Sequence, residues 1–465
     1  MTPHDALTPD DEQAAERARE VALTIDLCLR IGEMLLSSGA GAADVTATMR
    51  SVADHMGLRA AEIDVTFTAL SMSYQRSTDD VPVLMVRHVQ QRDIDYEDLT
   101  AVDHLVRDLL TDRTDLYLAR SRMATIVSLG HAFPRWAVTI AWAVMAGAVG
   151  VFLGGGVVVS VVAALSAALI DRVQLVMARR RLPFFYLQVA GGTIATLLAA
   201  GVAASPVEVD PSLAVTANII LLLAGIGLMG AVQDALTGFY LTASARLIEA
   251  MMATAGIIAG VALGISIADG LGFPLEQLVP GKLGSISEVP TILGGAAVSA
   301  AAFSVASYAP RRAVLPVGLI TAVAAAISQG VEYAGFGRAA AAGAAAFFIG
   351  LVAYAVAGRV RVPPLVVAVP AIVPFLPGLS IYRGLTFLAD GGFFVSQGIL
   401  ALMTAISVAI ALASGVILGE YVAQPLKREA RKLENRLAGP RLVGPFRAMT
   451  RAERRALRKS DERAR

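Results

Sequence analysis

One cysteine, two tryptophans and five histidines are spread through 465 residues, so the side chains that usually do redox or metal work are scarce. Cys28 stands alone, which excludes a disulfide framework and a cysteine-based zinc site, and its helical context reads as a small core residue. His4, His55, His88, His104 and His131 are scattered, with no HExxH and no i,i+4 pair. No GxSxG turn and no P-loop occurs; Gly154-Gly155-Gly156 lacks the Lys-Ser/Thr that a phosphate cradle requires. These absences argue against an enzyme, a metal, a cofactor and an ATP-driven pump. Aromatics make up only 6%. A basic n-region is missing as well: Asp10, Asp11, Glu12 and Glu16 open the chain, so no signal peptide is expected there.

What the chain does have is apolar length. Hydrophobic residues are 56% of it, glycines number 42 and the mean hydropathy is +0.64, the signature of a polytopic membrane protein. Gly154–Gly156 and the Ala-rich run 339–346 suit helices that pack through small residues. The net charge of +1 hides an asymmetry: residues 1–135 hold 22 acidic against 13 basic groups, and residues 422–465 hold 14 basic against 5 acidic.

Taken in order, residues 1–13 are expected to be disordered and 14–135 to form a small cytoplasmic α+β domain. Its reading is a helix from Ala14 to Ser38 and a second helix with Val45, Met49, Val52 and Met56 on one face. One strand then carries Ile63, Val65, Phe67 and Ala69, a turn spans Ser77–Asp80, and a shorter strand lies near Val83–Val86. A helix through Val102, Leu105, Val106 and Leu109 follows, then a connector. Ten apolar segments come next: about 136–152, 155–178, 184–204, 212–231, 245–268, 290–309, 313–331, 337–358, 362–378 and 393–419. Most approach the roughly 20 residues that cross a bilayer core. Asp171 and Arg172 read as an interfacial pair at the end of the second. The fold class is therefore mainly α: a first five-helix membrane domain at 136–270, an extracytoplasmic connector at 271–289, a second five-helix domain at 290–421, and a basic cytoplasmic tail at 422–465.

Of twelve Lys/Arg between Trp136 and Tyr421, nine share the side of residues 14–135: Arg172, Arg179, Arg180, Arg181, Arg246, Arg311, Arg312, Arg359 and Arg361. Lys282, Arg338 and Arg383 fall opposite. The positive-inside rule then puts both termini in the cytoplasm. An odd number of spans per half makes the halves an inverted repeat, the arrangement that exposes one site alternately to two sides. Two sequence parallels suggest it: Arg180-Arg181-Leu182-Pro183 against Arg311-Arg312 with Leu315-Pro316, and a bend at Leu228-Met229-Gly230 against Leu376-Pro377-Gly378. Prolines 363, 364, 370, 374 and 377 crowd the ninth span. Each internal proline removes a donor and clashes with the preceding turn, so a broken or re-entrant helix lining a cavity is expected.

The rest is organised around residues 225–250, where a Gly-marked bend feeds an apolar run bearing charges. Such charges cost about 2.5–3.5 kcal/mol each on insertion scales. Asp234, Arg246 and Glu249 are the candidate substrate and proton-coupling groups, with Thr242 and Ser244 adding hydroxyls, and Thr237 nearby. Arg246 and Glu249, at i,i+3, either line the path or form a salt bridge that fixes the start of the fifth span. Tyr382, Arg383 and Asp390 occupy the matching bend of the second half. Gly230, Gly238, Pro377 and Gly378 are read as structural bends. The tail stripe Leu426, Ala430, Leu433 and Leu437, flanked by Lys/Arg, suits anionic lipid or the acidic N-terminal domain, not nucleic acid.

Several of these residues resemble a known family. Gly32-Glu-Met-Leu-Leu-Ser-Ser-Gly-Ala, then Asp44-Val45, Met49 and Gly57-Leu58, look like the N-terminal domain of the threonine/serine exporter family. Gln233-Asp234-x3-Gly238 and Ser244-Ala245-Arg246-x2-Glu249 resemble the signature closing its first membrane domain, and Leu376-Pro377-Gly378 the bend of its second. Many members carry Pro-Gly at the first bend, where this chain has Met229-Gly230. The resemblance implies a ten-span plasma-membrane exporter of L-threonine and L-serine, a proton antiporter driven by the proton motive force. Dicarboxylate export, known among bipartite relatives, is the alternative within transport; a membrane-anchored signalling or hydrolytic module using residues 14–130 is the alternative outside it. A homo-oligomer stays open.

Overall fold

The computed structural model describes residues 9–77, 80–89, 94–128, 130–152, 155–204, 225–273, 289–390 and 392–437, together with Val215, Ile219 and Leu222. The N-terminal part runs α1 (Pro9–Ser37), α2 (Ala42–His55), β1 (Glu62–Val65), β2 (Ala69–Tyr74), β3 (Val83–His88), α3 (Tyr96–Leu110) and α4 (Leu116–Ser128). Its antiparallel sheet has the order β1-β2-β3. Ile25, Cys28 and Ile31 of α1, Val45, Met49 and Val52 of α2, and Leu70 and Met72 of β2 are fully buried in one apolar cluster.

Three expectations need correction here. Helix α1 begins at Pro9, so part of the segment expected to be disordered is helical. The single strand through residues 63–69 is a hairpin: the backbone N–H and hydroxyl of Thr66 both donate to the Ala69 carbonyl, at 2.9 and 3.0 Å, closing a turn between β1 and β2. The connector after α3 is the helix α4, whose Leu118 N–H donates to Asp115 Oδ1 (2.7 Å) and whose Arg120 reaches Asp26 on α1.

The membrane region comprises α5 (Arg135–Phe152), α6 (Val157–Arg179), α7 (Phe184–Ala203), α8 (Gly225–Leu236), α9 (Tyr240–Gly270), α10 (Val289–Ala306), α11 (Arg311–Tyr333) and α12 (Arg338–Val360). Then come α13 (Leu365–Ile372), a 3₁₀ turn (Val373–Phe375), α14 (Gly378–Asp390) and α15 (Val395–Leu437). Among the described residues, eight helices are long and apolar enough to cross a membrane. The pair Leu365–Phe375 and Gly378–Leu388, bent by 44°, makes nine if counted as one span, so the proline-rich segment is a broken helix as its sequence predicts. The expected fourth span falls mostly outside the described residues, with α8 carrying its last part, and so does most of the connector 271–289.

The two halves use the same neighbours. In the first, α5 packs on α6, α6 on α7, α7 on α9 and α8 on α9; in the second, α10 packs on α11, α11 on α12, α12 on α15 and α14 on α15. Across the halves α5 meets α10, α8 meets α15 and α9 meets α14. Small residues set the close approaches. Gly256, Gly260 and Gly264 recur every fourth residue on α9, where a β-carbon on Gly260 would overlap the Val189 carbonyl of α7. Ala411, Gly415 and Gly419 do the same on α15, where a β-carbon on Gly419 would overlap the Phe347 carbonyl of α12.

The proposed Leu-Pro parallel does not hold in space. Pro183 stands just before α7, whereas Pro316 lies inside α11. A different recurrence is present: a left-handed residue, one residue, then proline, at Arg181-Leu182-Pro183, Tyr308-Ala309-Pro310 and Arg361-Val362-Pro363. The N-terminal domain sits on the second and third of these turns. Tyr96 N–H donates to the Ser307 carbonyl (3.0 Å), the His104 ring contacts the Arg361 carbonyl (3.1 Å) and the His131 ring stacks on Tyr308.

Candidate functional site

Helix α8 ends at Leu236 because the chain turns at Gly238, whose φ of +92° suits a residue without a β-carbon. Phe239 N–H donates back to the Asp234 carbonyl (2.8 Å), and α9 starts at Tyr240. Within this turn Asp234 is wholly buried. Its Oδ2 pairs with Arg246 Nε at 3.1 Å and its Oδ1 accepts from the Ala42 N–H at 3.0 Å. Arg246 Nη2 in turn donates to the Ala40 carbonyl at 3.1 Å. Thr242, also buried, donates to the Val65 carbonyl at 3.3 Å. The signature of the first membrane half therefore grips the α1–α2 turn and β1 of the N-terminal domain.

Two more carboxylates approach this junction. Asp44 stands in the first turn of α2, with Gly41 between it and Asp234. Burial first, and the Asp234 charge second, push the Asp44 carboxyl above its ordinary range. Glu420 of α15 lies close enough to Asp44 for the two negative charges to interact.

A second grouping lies where broken segments of the two halves meet. Helix α8 begins at Gly225 and α14 at Gly378, and a β-carbon on Gly225 would come within 2.8 Å of Leu376 Cβ and 3.5 Å of Gly378 N. The 3₁₀ turn before Gly378 has a counterpart in the 3₁₀ conformation of Leu222 before Gly225. Tyr382, on the second turn of α14, is buried against Ile170, Ala195, Leu222 and Ile257 of the first half. Its neighbour Arg383 is half-buried and feels the charge of Arg338.

The candidate residues thus divide. Asp234, Arg246 and Thr242 come together at the domain junction; Pro377, Gly378, Tyr382 and Arg383 gather around the second break. Ser244 is exposed and donates to the Leu241 carbonyl (2.9 Å), and Glu249 lies on the exposed face of α9 with Ile248 and Met252. Gly230 is not a bend: it sits inside α8, and its missing β-carbon leaves room for Arg246 Nη1, which one there would meet at 2.6 Å. The Asp390 side chain lies outside what the structure describes. Sequence reasoning missed Glu420, Gly225 and the backbone of Ala40 and Ala42. The last two carry no signal, since a backbone N–H or carbonyl belongs to every residue.

A family model described as Putative threonine/serine exporter matches residues 26–268, and one described as Threonine/Serine exporter, ThrE matches residues 293–422. A protein of Mycobacterium tuberculosis named Probable threonine/serine exporter is 36% identical over 429 residues, which cover 90% of this chain and 80% of that one. A Corynebacterium glutamicum protein named Threonine/serine exporter is 33% identical over 439 residues, 93% of this chain and 87% of the other. No solved structure matches.

Proposed function

The chain belongs to the threonine/serine exporter family, and from that premise we propose that it exports L-threonine and L-serine across the plasma membrane, driven by protons. The reading is of ten spans in two inverted halves with both termini cytoplasmic. The observation that carries it is the close approach of Gly225, the first described residue of α8, to the start of α14 at Gly378. Helix N-termini carry unpaired N–H groups and the positive end of the dipole, which suits an amino-acid carboxylate. Tyr382 and Arg383 on α14 stand near enough along the chain to add a hydroxyl and a positive charge. The matching helix neighbours of the two halves support the repeat, and the arginines gathered at the domain end support the orientation.

Coupling to protons needs a carboxylate that can exchange its partner. Asp234 is the candidate, because it is buried and can trade Arg246 for a proton. The driving force is adequate: one charge moved through 100 mV supplies about 2.3 kcal/mol. Counterflow in proteoliposomes with labelled threonine, serine and succinate tests the substrate; threonine and serine should exchange and succinate should not. Preference for succinate would replace this reading by dicarboxylate export. Threonine efflux against an imposed pH gradient tests coupling. Asp234→Asn should lose the gradient dependence and Glu249→Gln should keep it; dependence intact in both variants sinks the assignment.

A further inference from the structure

Buried hydroxyls in the membrane helices mostly satisfy themselves. Thr196, Thr254, Ser304 and Thr321 each donate to the carbonyl four residues back, at 2.9, 2.9, 3.0 and 2.8 Å. Among the described residues of these helices, three polar side chains more than nine-tenths buried end in an oxygen that nothing meets: Ser166 of α6, Gln188 of α7 and Ser299 of α10. The two serines have a remedy at hand, since rotation about one bond takes a hydroxyl to the carbonyl four residues back, as in Ser304. Gln188 does not. Its bare atom is the amide oxygen Oε1, which only accepts and therefore needs a donor brought to it.

Gln188 stands on the first-half side of the break. A β-carbon on Gly256 would lie 2.9 Å from Gln188 Cβ, so α9 is pressed against it there. One turn further along α7, a β-carbon on Gly191 would meet the two methyl groups of Leu222 at 2.7 and 2.9 Å. Leu222 is three residues before Gly225, and with Ile257, the neighbour of Gly256, it belongs to the cluster that receives Tyr382 from the second half. The amide of Gln174, which also borders Gly191, is already engaged: its Nε2 donates to the Leu187 carbonyl at 3.0 Å. A buried acceptor left bare costs free energy, and a ligand that supplies the donor recovers it.

We propose that Gln188 is a specificity-determining residue, whose Oε1 accepts from the side-chain hydroxyl of threonine or serine bound at the break. The proposal rests on the substrate reading above and adds to it the group that tells a hydroxy amino acid from an aliphatic one. Valine has the shape of threonine with a methyl group where the hydroxyl stands, and alanine is serine without its hydroxyl. Either analogue leaves Oε1 bare, and a site built around a hydrogen bond to substrate rejects what cannot make it. The ammonium group, by contrast, is common to all four and gives no choice among them.

Counterflow of labelled threonine into proteoliposomes holding the full chain reads the choice as competition. With wild type, unlabelled threonine should compete about tenfold better than valine, and serine better than alanine by a similar factor. In Gln188→Leu, and in Gln188→Met as a second apolar replacement, threonine and valine should come within about twofold of each other. Ser166→Ala and Ser299→Ala should keep the wild-type preference. Thermal unfolding in detergent separates recognition from packing. Without substrate, both apolar variants should melt no lower than wild type, because they remove a bare buried acceptor. Added threonine should raise the wild-type Tm more than valine does, and the two should act alike on the variants. Apolar variants that keep the preference overturn the proposal, and so does an equal loss of preference in Ser166→Ala. A Tm lowered in both apolar variants makes Gln188 a packing residue and overturns it as well. A wild type that exchanges neither threonine nor serine overturns the substrate reading together with the proposal, whereas failure in the variants alone leaves that reading standing.

Discussion

In the first membrane half, the turn between α8 and α9 is closed by protein: Arg246 reaches Asp234 and the Ala40 carbonyl, and a folded domain lies over both. In the second half, the break before α14 leads to Arg383, which faces the like charge of Arg338. The helices around the two breaks use the same neighbours and the same small-residue spacing. The two breaks thus share their packing and differ in the ionised groups that stand around them. The asymmetry lies both in the charges the helices carry and in the domain that covers the first break.

That contrast can be broken most sharply at its two arginines. Arg246→Ala strands the buried Asp234, and removing one member of a buried pair costs about 3–5 kcal/mol; thermal unfolding in detergent should show the loss. Arg383→Ala should cost less than about 1 kcal/mol in the same assay and instead lower threonine efflux. Equal stability losses would erase the distinction between the paired arginine and the one at the second break. A smaller effect tests the shared frame. Gly260→Ala and Gly419→Ala each place a β-carbon on a backbone carbonyl, and overpacking of this kind costs about 1–3 kcal/mol. Similar losses in both support equivalent roles for α9 and α15, and a cost in one alone contradicts it.

The smallest effect concerns the domain's attachment. Burial, aided by Asp95, pushes the Asp98 carboxyl up to about 6 beside His131. The stability linked to its protonated form is complete below the ordinary carboxylate range and is lost as pH rises through 6. Asp98→Asn should therefore raise the melting temperature slightly at pH 7 and leave it unchanged at pH 4.

Parts of this were legible in the sequence. Prolines 374 and 377 announced the break, standing in the 3₁₀ turn and just before α14, whereas Pro370 and Pro316 lie inside helices that continue past them. Asp234 and Arg246 stood out because charges amid apolar runs need partners. Their partners were not legible. The i,i+3 spacing pointed Arg246 at Glu249, but the turn at Gly238 folds Asp234 back to it, and the α1–α2 turn that completes the site lies 192 residues away from Asp234. Gly230 misled for a related reason: a glycine that makes room for a guanidinium looks, in sequence, the same as one that turns the chain. The hairpin at Thr66–Thr68 was hidden by an apolar alternation that ran unbroken through it.

The one cysteine has a practical consequence. Cys28 is fully buried, and that burial pushes its thiol up to about 12, so almost none is thiolate near neutrality. Towards a water-soluble maleimide the native chain behaves as though it had no thiol. A cysteine placed at Leu376 or Glu249 would be the sole reactive sulfur, with no residue removed first. Accessibility from either side of the membrane can then be followed in the unaltered background.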